Sequence, residues 1–267
     1  MYPRRWLFVA LFVVSGVLVA CAGTGPRPSA EERQALAPNG PLRVGVYPGS
    51  PTSLVTDRGT GEAKGVTHDL GKALAERLGV AFELVEMPTL AELLVAVKSG
   101  AVDFTGTNAS PSRAAEMDFT PTVLEIELGY LVVAASTASV VSDVDRPGIR
   151  IGVTQGSTSQ TTLPRALKSA IVVPAPTLKA AGGMLTAGDI DAFATNKVIL
   201  FEMSDGIQGS RVLGGRWGVE HWALAVPKGR QNGLKFVQRF AEWAQSEGLV
   251  RRAVDRAGLR GTVRPEP

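Results

Sequence analysis

Apolar and polar positions follow two different periods along the chain from residue 42 onward. Short apolar runs of strand length alternate with segments in which apolar residues recur every three or four positions, which is the spacing of one helix face. In the first such segment Val66, Leu70 and Leu74 lie on one helix face, and Gly79 is positioned to end the helix. A T-x-x-E capping box at Thr89 begins the next predicted helix. This alternation predicts a layered α/β fold.

The pattern divides into two α/β series. The first predicts strands at 42–46, 81–86 and 102–105 and helices at 66–78 and 90–99. The second predicts strands at 149–153, 171–173, 190–194 and 211–213 and helices at 158–168, 177–187 and 196–203. Extended runs at 124–134 and 219–226 flank the second series, and amphipathic helices follow at 233–246 and 248–257. This order predicts two lobes joined by two crossings, with lobe 1 formed by residues 42–126 and 223–267 and lobe 2 by residues 127–222.

The first 21 residues predict an export signal. Arg4 and Arg5 precede an apolar stretch at residues 6–20, which is shorter than the about 20 residues of a bilayer-spanning helix and typical of a signal-peptide core. The stretch ends in LVAC, which resembles a bacterial lipobox, so we expect Cys21 to be acylated and to become the new N-terminus. The expected location is periplasmic, with the chain anchored to a membrane through this lipid. An ordinary signal peptide with an incidental cysteine is the alternative.

Residues 22–41 contain four prolines and several small residues without a strong apolar period. They predict a flexible tether between the anchor and the fold. A short helix near residues 31–36 is the alternative, and it leaves the expected function unchanged.

Composition narrows the classes of function. The chain of 267 residues is 45% hydrophobic, which is enough for a sizeable core without disulfides or metals. Lys and Arg number 28 against 25 Asp and Glu, and the net charge of +3 is too small to indicate a nucleic-acid-binding face. Two histidines and one cysteine are too few for a zinc site, so we expect neither a metal nor a cofactor.

Eight short segments are together similar to a known family. They are LRVGV (42–46), KGVTHDLGKALA (64–75), GAVDF (100–104), SPSRA (110–114), MDFT (117–120), IGVTQGST (151–158), GDIDA (188–192) and ALAVPKG (223–229). Their number and order resemble type 2 periplasmic solute-binding proteins of the polar amino-acid kind, family 3, over residues 41–259. The resemblance implies the α/β, two-lobe periplasmic binding protein type 2 fold, with two crossings and a ligand cleft between lobes that close like a clamp.

The same resemblance implies a function. We expect a monomeric, non-enzymatic, extracytoplasmic protein that captures a small carboxylate-bearing solute, an amino acid or an organic acid, and delivers it to the permease of an ABC importer. A ligand-sensing module for a membrane signalling partner uses the same clamp and stays open as an alternative. A periplasmic dehydratase-like enzyme is the third class, and it needs an acid or base in the cleft, which the sequence does not assign.

Arg113 is the principal candidate ligand-binding residue. It follows a Ser-Pro turn, where a guanidinium can hold a carboxylate through two parallel hydrogen bonds. In the family the matching arginine binds the solute's α-carboxylate; the alternative is a surface arginine paired with Glu116 or Asp118. The turn at Ser157 and Thr158 is expected to complete the anion site with free backbone N–H groups, with an ordinary N-cap as the alternative.

Further candidates surround the same cleft. In the family the stretch at Gly106, Thr107 and Asn108 offers a backbone carbonyl and a hydroxyl to the ligand, and here Asn108 takes the place of the hydroxyl. An asparagine that hydrogen-bonds within its own turn is the alternative. Trp222, at the second crossing, either lines the cleft or packs in the hinge.

Two departures from the family pattern bear on the choice of solute. The resemblance places the family's amino-group anchor, an aspartate, at Asn196, and an amide cannot neutralise an ammonium group in a desolvated cleft. The aromatic rings that sandwich the solute in the family fall at or near Ser50 and Leu90. The carboxylate clamp is therefore expected to be kept, whereas the groups that recognise an α-amine are missing.

Overall fold

The computed structural model of the chain describes residues 25–57 and 59–263. The predicted signal peptide, with Arg4, Arg5 and Cys21, lies outside the described residues. No helix within the described ranges combines the length and apolar content that are needed to cross a bilayer.

Strands and helices alternate along most of the described chain, which confirms the predicted α/β class. The helices are α1 (Ala30–Leu36), α2 (Val66–Leu78), α3 (Leu90–Ser99), α4 (Pro111–Ala114), α5 (Thr158–Ala166), α6 (Leu178–Ala187), α7 (Lys197–Gly206), α8 (Gln231–Ser246) and α9 (Leu249–Arg256), with a 3₁₀ turn at Val141–Val144. The strands are β1 (Leu42–Val46), β2 (Val55–Thr56), β3 (Ala63–Lys64), β4 (Phe82–Glu86), β5 (Thr105–Asn108), β6 (Met117–Phe119), β7 (Leu124–Val132), β8 (Arg150–Thr154), β9 (Ile171–Ala175), β10 (Ala192–Asn196), β11 (Arg211–Val212), β12 (Gly218–Pro227) and β13 (Thr262–Val263).

Two long antiparallel strands, β7 and β12, join two α/β units. On one side β12 pairs with β5, and on the other β7 pairs with β10, so the largest sheet runs in the order β5-β12-β7-β10-β8-β9. In the second unit β8, β9 and β10 are parallel and are connected through α5 and α6, as parallel neighbours require. In the first unit β1 and β4 are parallel, and β1 adjoins the start of β5 through a bridge between Val44 and Phe104.

Each unit has its own buried core. In the first, Leu74 of α2, Phe104 and Phe236 of α8 are fully buried in one cluster. In the second, Ile151 of β8 and Phe193 of β10 are fully buried in two smaller clusters. The C-terminal ends of β1, β5, β8 and β10 meet between these cores, where ligands bind in open α/β sheets.

Capping residues set the helix ends where the sequence predicts them. Thr89 accepts a hydrogen bond from the backbone N–H of Glu92 (3.1 Å) at the start of α3, which is one half of the predicted capping box. Gly79 and Gly100 end α2 and α3 in the left-handed conformation, with φ of 68° and 73°. Glycine takes this conformation without the steric penalty of a Cβ atom.

The bounds of one predicted strand are wrong. The strand expected at residues 102–105 lies at Thr105–Asn108, because Asp103 is engaged in a buried ion-pair network where the chain bends. Its carboxylate binds the guanidinium groups of Arg43 (2.7 Å) and Arg230 (2.6 Å). The shift carries the end of β5 to the boundary between the two units.

The flexible tether predicted for residues 22–41 is wrong for its second half, where α1 packs against α8. Ser29 and Glu32 form a reciprocal capping box (3.1 and 2.9 Å), and Glu32 also binds Arg239 of α8 (2.9 Å). Leu36 is fully buried in the core of the first unit. The S-x-x-E capping pattern and the buried Leu36 therefore specify a packed helix, although the proline-rich composition around them is typical of a flexible linker.

Replacing Leu36 with Ala tests whether α1 belongs to the fold. We expect Leu36→Ala to lower the free energy of unfolding by about 2–5 kcal/mol, because it opens a cavity in the core. Gln34→Ala, at an exposed position of the same helix, is the control and is expected to change it by less than about 0.5 kcal/mol. Urea unfolding measures both, and equal small effects would mean that α1 is a dispensable tether.

Candidate functional site

The candidate site is the crevice between the two units, where the loops that follow β1, β5, β8 and β10 meet. The helix α4 follows β5 there, α5 follows β8, and α7 follows β10. Helix N-termini and turn side chains therefore converge on one place. The predicted residues Arg113, Asn108, Thr158 and Asn196 all lie in this crevice, since each hydrogen-bonds a group from a neighbouring loop or strand.

Arg113 is buried in the crevice, with 8% of its surface exposed. Ser110 caps the short helix α4 and Pro111 occupies its first position, and together they direct the arginine inward. Its Nη1 donates to Thr107 Oγ1 (2.7 Å) and to the carbonyl oxygen of Asn108 (3.4 Å). The guanidinium is thereby held rigidly at the end of β5.

The alternative of a surface arginine paired with a local carboxylate is wrong. Glu116 binds Lys98 (2.6 Å) and Asp118 binds Lys228 (2.9 Å). Within the described residues, no carboxylate oxygen lies within 4.0 Å of an Arg113 nitrogen. The hydrogen-bond partners of this buried cation are neutral oxygens.

Two hydrogen bonds cross the crevice and join the units. Arg113 Nη2 donates to the carbonyl oxygen of Gly156 (3.1 Å), and Asn108 Nδ2 donates to Thr158 Oγ1 (3.1 Å). Asn108 Oδ1 accepts from the backbone N–H of His221 on β12 (3.2 Å). Side chains that the sequence assigns to solute binding are therefore the ones that hold the crevice closed.

The turn before α5 has fewer free N–H groups than predicted. The Gly156 N–H donates to Gln160 Oε1 (2.7 Å), and the Ser157 N–H donates to the carbonyl oxygen of Thr154 (3.0 Å). Ser157 Oγ accepts from the Gln160 N–H (3.2 Å), so Ser157 is an ordinary N-cap. In this closed conformation the turn presents a carbonyl oxygen, not an amide pair, to the guanidinium.

Trp222 and Gly106 pack together beneath the crevice. Trp222 is 1% exposed and lies in the core of the first unit, paired across β12 and β5 with Asn108. A Cβ atom at position 106 would overlap the indole ring and approach Thr67 Oγ1. The structure therefore shows the hinge-packing alternative for Trp222, and glycine at 106 makes that packing sterically feasible.

Asn196 lies in the crevice beside a buried carboxylate that the sequence reasoning missed. Asn196 caps α7, with its Oδ1 accepting from the backbone N–H of Ile199 (3.1 Å). Its Nδ2 donates to Oε2 of Glu220 on β12 (3.3 Å), and Glu220 is 9% exposed. The crevice therefore contains an acidic group, which corrects the expectation that none could be assigned there.

A sequence signal for Glu220 exists in the alternation of β12. Residues two apart on a strand share a face, so Glu220 shares its face with the buried Trp222 and Leu224, whereas His221 is exposed on the other face. A glutamate on the buried face of a predicted hinge strand is the pattern that would have identified it.

Tyr47 is the second residue that the sequence reasoning missed. It follows β1 and packs against apolar clusters of both units. Its backbone N–H donates to Ser53 Oγ (2.9 Å), and the neighbouring Ser50 is fully buried and bonds Thr52 (2.9 Å). The prediction that aromatic rings are lost near Ser50 and Leu90 is thus incomplete, because Tyr47 supplies a ring beside both.

A cavity of about 320 Å³ opens at the mouth of the crevice. It is largely apolar, and Tyr47 and Thr154 connect it with the buried polar groups. Its lining consists of Tyr47, Pro48, Gly49, Pro88, Thr89, Leu90, Thr154, Thr177, Leu178 and Lys179. This volume is at the lower end of the range for small-molecule sites.

Burial shifts the pKa values of the crevice groups toward their neutral forms. Burial lowers the pKa of Arg113, although the charge of Glu220 acts against this. Burial raises the pKa of the Glu220 carboxyl, although the charge of Arg113 and the hydrogen bond from Asn196 act against it. Burial also raises the pKa of Tyr47 to about 12, so its hydroxyl is neutral at physiological pH.

Comparison with known proteins agrees with this geometry. The model of the family described as bacterial extracellular solute-binding proteins, family 3, matches residues 42–257. That range includes both units, both long joining strands and every residue of the crevice.

Solved structures share the fold over most of the chain. An ancestral arginine-binding protein bound to arginine is 25% identical, with a TM-score of 0.71 over 82% of this chain and 98% of that one. A solute receptor for L-cysteine from Neisseria gonorrhoeae is 22% identical, with a TM-score of 0.74 over 84% and 92%. An ancestral amino acid-binding protein, described as a precursor of cyclohexadienyl dehydratase, is 23% identical, with a TM-score of 0.72 over 84% and 98%. The α/β periplasmic binding protein fold is thereby confirmed.

The raised pKa of Glu220 predicts a pH dependence of stability. As the pH rises from about 4, the unfolded chain loses this proton before the folded chain does, so the free energy of unfolding falls. Glu220→Gln abolishes this decrease in the free energy of unfolding, because the amide that replaces the carboxyl does not ionise. We expect the variant to gain stability over the wild type progressively as the pH rises above about 4.

Thermal unfolding of the ligand-free protein across this pH range measures the effect. Glu242→Gln, on the exposed face of α8, controls for the loss of one negative charge. A constant difference between Glu220→Gln and the wild type at every pH would contradict the burial of an ionising carboxyl at this position.

Proposed function

Because the chain belongs to family 3 of the bacterial extracellular solute-binding proteins, we propose that it captures a small carboxylate-bearing solute outside the cytoplasm. It then delivers this solute to the permease of an ABC importer.

The buried guanidinium of Arg113 carries the proposal. It is fixed by Thr107 and reaches Gly156 across the crevice. Its planar donors suit the two oxygens of a carboxylate, and a charge-assisted bond to a carboxylate is stronger than the bonds it makes to neutral oxygens. A carboxylate that enters the crevice can therefore replace one of these neutral acceptors at a gain in free energy.

The similar structures support an amino acid as the solute class. One is bound to arginine and another is a receptor for L-cysteine. The apolar cavity beside Tyr47 is lined by residues of both units and offers space for the side chain of such a molecule. Thr107, Asn108 and Thr158 surround that end with hydroxyl and amide groups, for which we propose solute contacts.

Closure of the crevice couples binding to delivery. The hydrogen bonds of Arg113 and Asn108 to the second unit form only when the two units are close together. A solute held by both sides favours this closed form over an open one by its additional contacts. We propose that the permease recognises the closed surface.

The N-terminal segment supports a location at the membrane surface. With Cys21 as the proposed lipidated N-terminus and α1 packed on the fold, residues 22–29 would connect the lipid to the domain. Eight extended residues span less than about 30 Å. The domain would therefore stay close to the membrane that holds the importer.

Replacing Arg113 tests the proposed function. We expect Arg113→Ala to weaken binding of carboxylate-bearing solutes by more than about tenfold, because a buried charge-assisted contact is lost. The wild type is first screened by thermal shift with amino and organic acids, since a ligand that binds the native state raises its melting temperature. Calorimetry then compares the variant with the wild type on each solute that is found.

Arg211→Ala is the matched control for this experiment. Arg211 also donates to backbone carbonyls, those of Val133, Ser136 and Ala138, but it lies away from the crevice. Its loss is expected to leave solute affinity unchanged. Equal affinities for Arg113→Ala and the wild type would exclude Arg113 as the carboxylate anchor.

The lipid anchor is tested by Cys21→Ser in a bacterial host that processes lipoproteins. We expect the wild-type chain to partition into the detergent phase with the added mass of a lipid on Cys21, and the variant to stay in the aqueous phase. An unmodified wild-type N-terminus would contradict the anchor and leave the solute-binding proposal unaffected.

A further inference from the structure

Glu220 is a buried carboxylate that the carboxylate-binding role of the crevice does not use. It lies on the hinge strand β12, with its side chain on the buried face of that strand. Among the described residues, the only hydrogen-bond donor to its carboxylate is Asn196 Nδ2, at a long 3.3 Å. A buried carboxylate usually needs several donors or a cation in contact to offset the loss of water.

The nearest compensating charge is Arg113, and the two do not form an ion pair. The charge of Glu220 raises the pKa of Arg113, and the charge of Arg113 lowers the pKa of Glu220, so each group favours the charged form of the other. Yet no Arg113 nitrogen is within 4.0 Å of a carboxylate oxygen in the described chain. The Glu220 carboxylate reaches the crevice through its hydrogen bond with Asn196, and it is separated from Arg113 by more than an ion-pair distance.

This arrangement is unfavourable for an isolated protein and favourable for one particular kind of ligand. Each charge loses hydration, and their mutual attraction is weaker than that of a contact pair. A small zwitterion with its two charges on neighbouring atoms would contact both groups and neutralise both. An anion without an amino group would satisfy Arg113 and be repelled by Glu220.

We propose that Glu220 binds the ammonium group of the solute while Arg113 binds its carboxylate. The proposal rests on the proposed function and adds the residue that recognises the amino group of an α-amino acid. It assigns amine recognition to the hinge strand β12 and not to residue 196, where the amide lacks a charge.

Asn196 is a positioning residue in this arrangement. Its Oδ1 is engaged by the N–H of Ile199, which fixes the orientation of its amide. Its Nδ2 is then directed at Glu220 Oε2 and holds one carboxylate oxygen. Tyr47 has a pKa of about 12 and stays neutral, so its hydroxyl does not act as a second anion beside the ammonium group.

Matched pairs of solutes test the proposal. The standard L-amino acids are ranked by thermal shift on the purified protein, and the tightest binder is titrated by calorimetry beside the same acid without its amino group. We expect the wild type to prefer the amino acid by at least about tenfold. In Glu220→Gln we expect its affinity to fall roughly 10- to 100-fold, while the deaminated acid binds at least as tightly as before, because a repelling charge is gone.

A charge-relocation variant distinguishes recognition from general damage. The side chains of residues 196 and 220 are 3.3 Å apart, so Asn196→Asp combined with Glu220→Gln returns a carboxylate to nearly the same place. The double variant is expected to regain much of the preference for the amino acid. No recovery would contradict the placement of the ammonium group beside this pair.

The outcomes separate this assignment from the proposed function. If the wild type binds the amino acid and its deaminated analogue equally, the role of Glu220 is overturned while that of Arg113 stands. If Glu220→Gln weakens both solutes equally, the residue is structural. If the amino acid is consumed by the wild type but not by Glu220→Gln, the carboxylate is catalytic and the assignment is wrong. If no carboxylate-bearing solute binds the wild type at all, the proposed function fails first.

Discussion

A buried guanidinium needs hydrogen-bond acceptors around it, and in this protein that need organises the crevice. Arg113 receives its acceptors from the end of β5 and from the turn before α5, which belong to different units. The full set is present only when the units are closed. The residue proposed to bind the carboxylate of the solute therefore also favours the closed form, because both roles use the same donors.

Glu220 gives the crevice its second charge, and its burial is a source of instability. A residue that destabilises the ligand-free fold is retained at functional sites where binding offsets its desolvation. Asn196 limits that destabilisation by donating to the carboxylate, and at the same time it caps α7. In the proposed arrangement the strand β12 contributes to recognition as well as to the connection between the units.

The fold and half of the site could be predicted from the sequence because both rest on local patterns. Apolar periodicity and the capping residues Thr89, Gly79 and Gly100 predicted elements whose ends are shifted by only a few residues. The family motif placed Arg113 correctly in the crevice.

Contacts between distant segments were not predictable in this way: α1 depends on Leu36 reaching α8, and β5 starts late because Asp103 binds Arg43 and Arg230. Glu220 was missed for the same reason, since its importance arises from Asn196 and Arg113, which are remote in sequence.

The central claim is that one solute is held between Arg113 and Glu220 by charges of opposite sign. A crystal structure of the protein with its tightest-binding amino acid tests this most directly. We predict a carboxylate that accepts two hydrogen bonds of about 2.7–2.9 Å from the Arg113 guanidinium, and an ammonium nitrogen about 3 Å from a Glu220 carboxylate oxygen. A solute with its amino group away from Glu220, or with its carboxylate bound elsewhere, would contradict it.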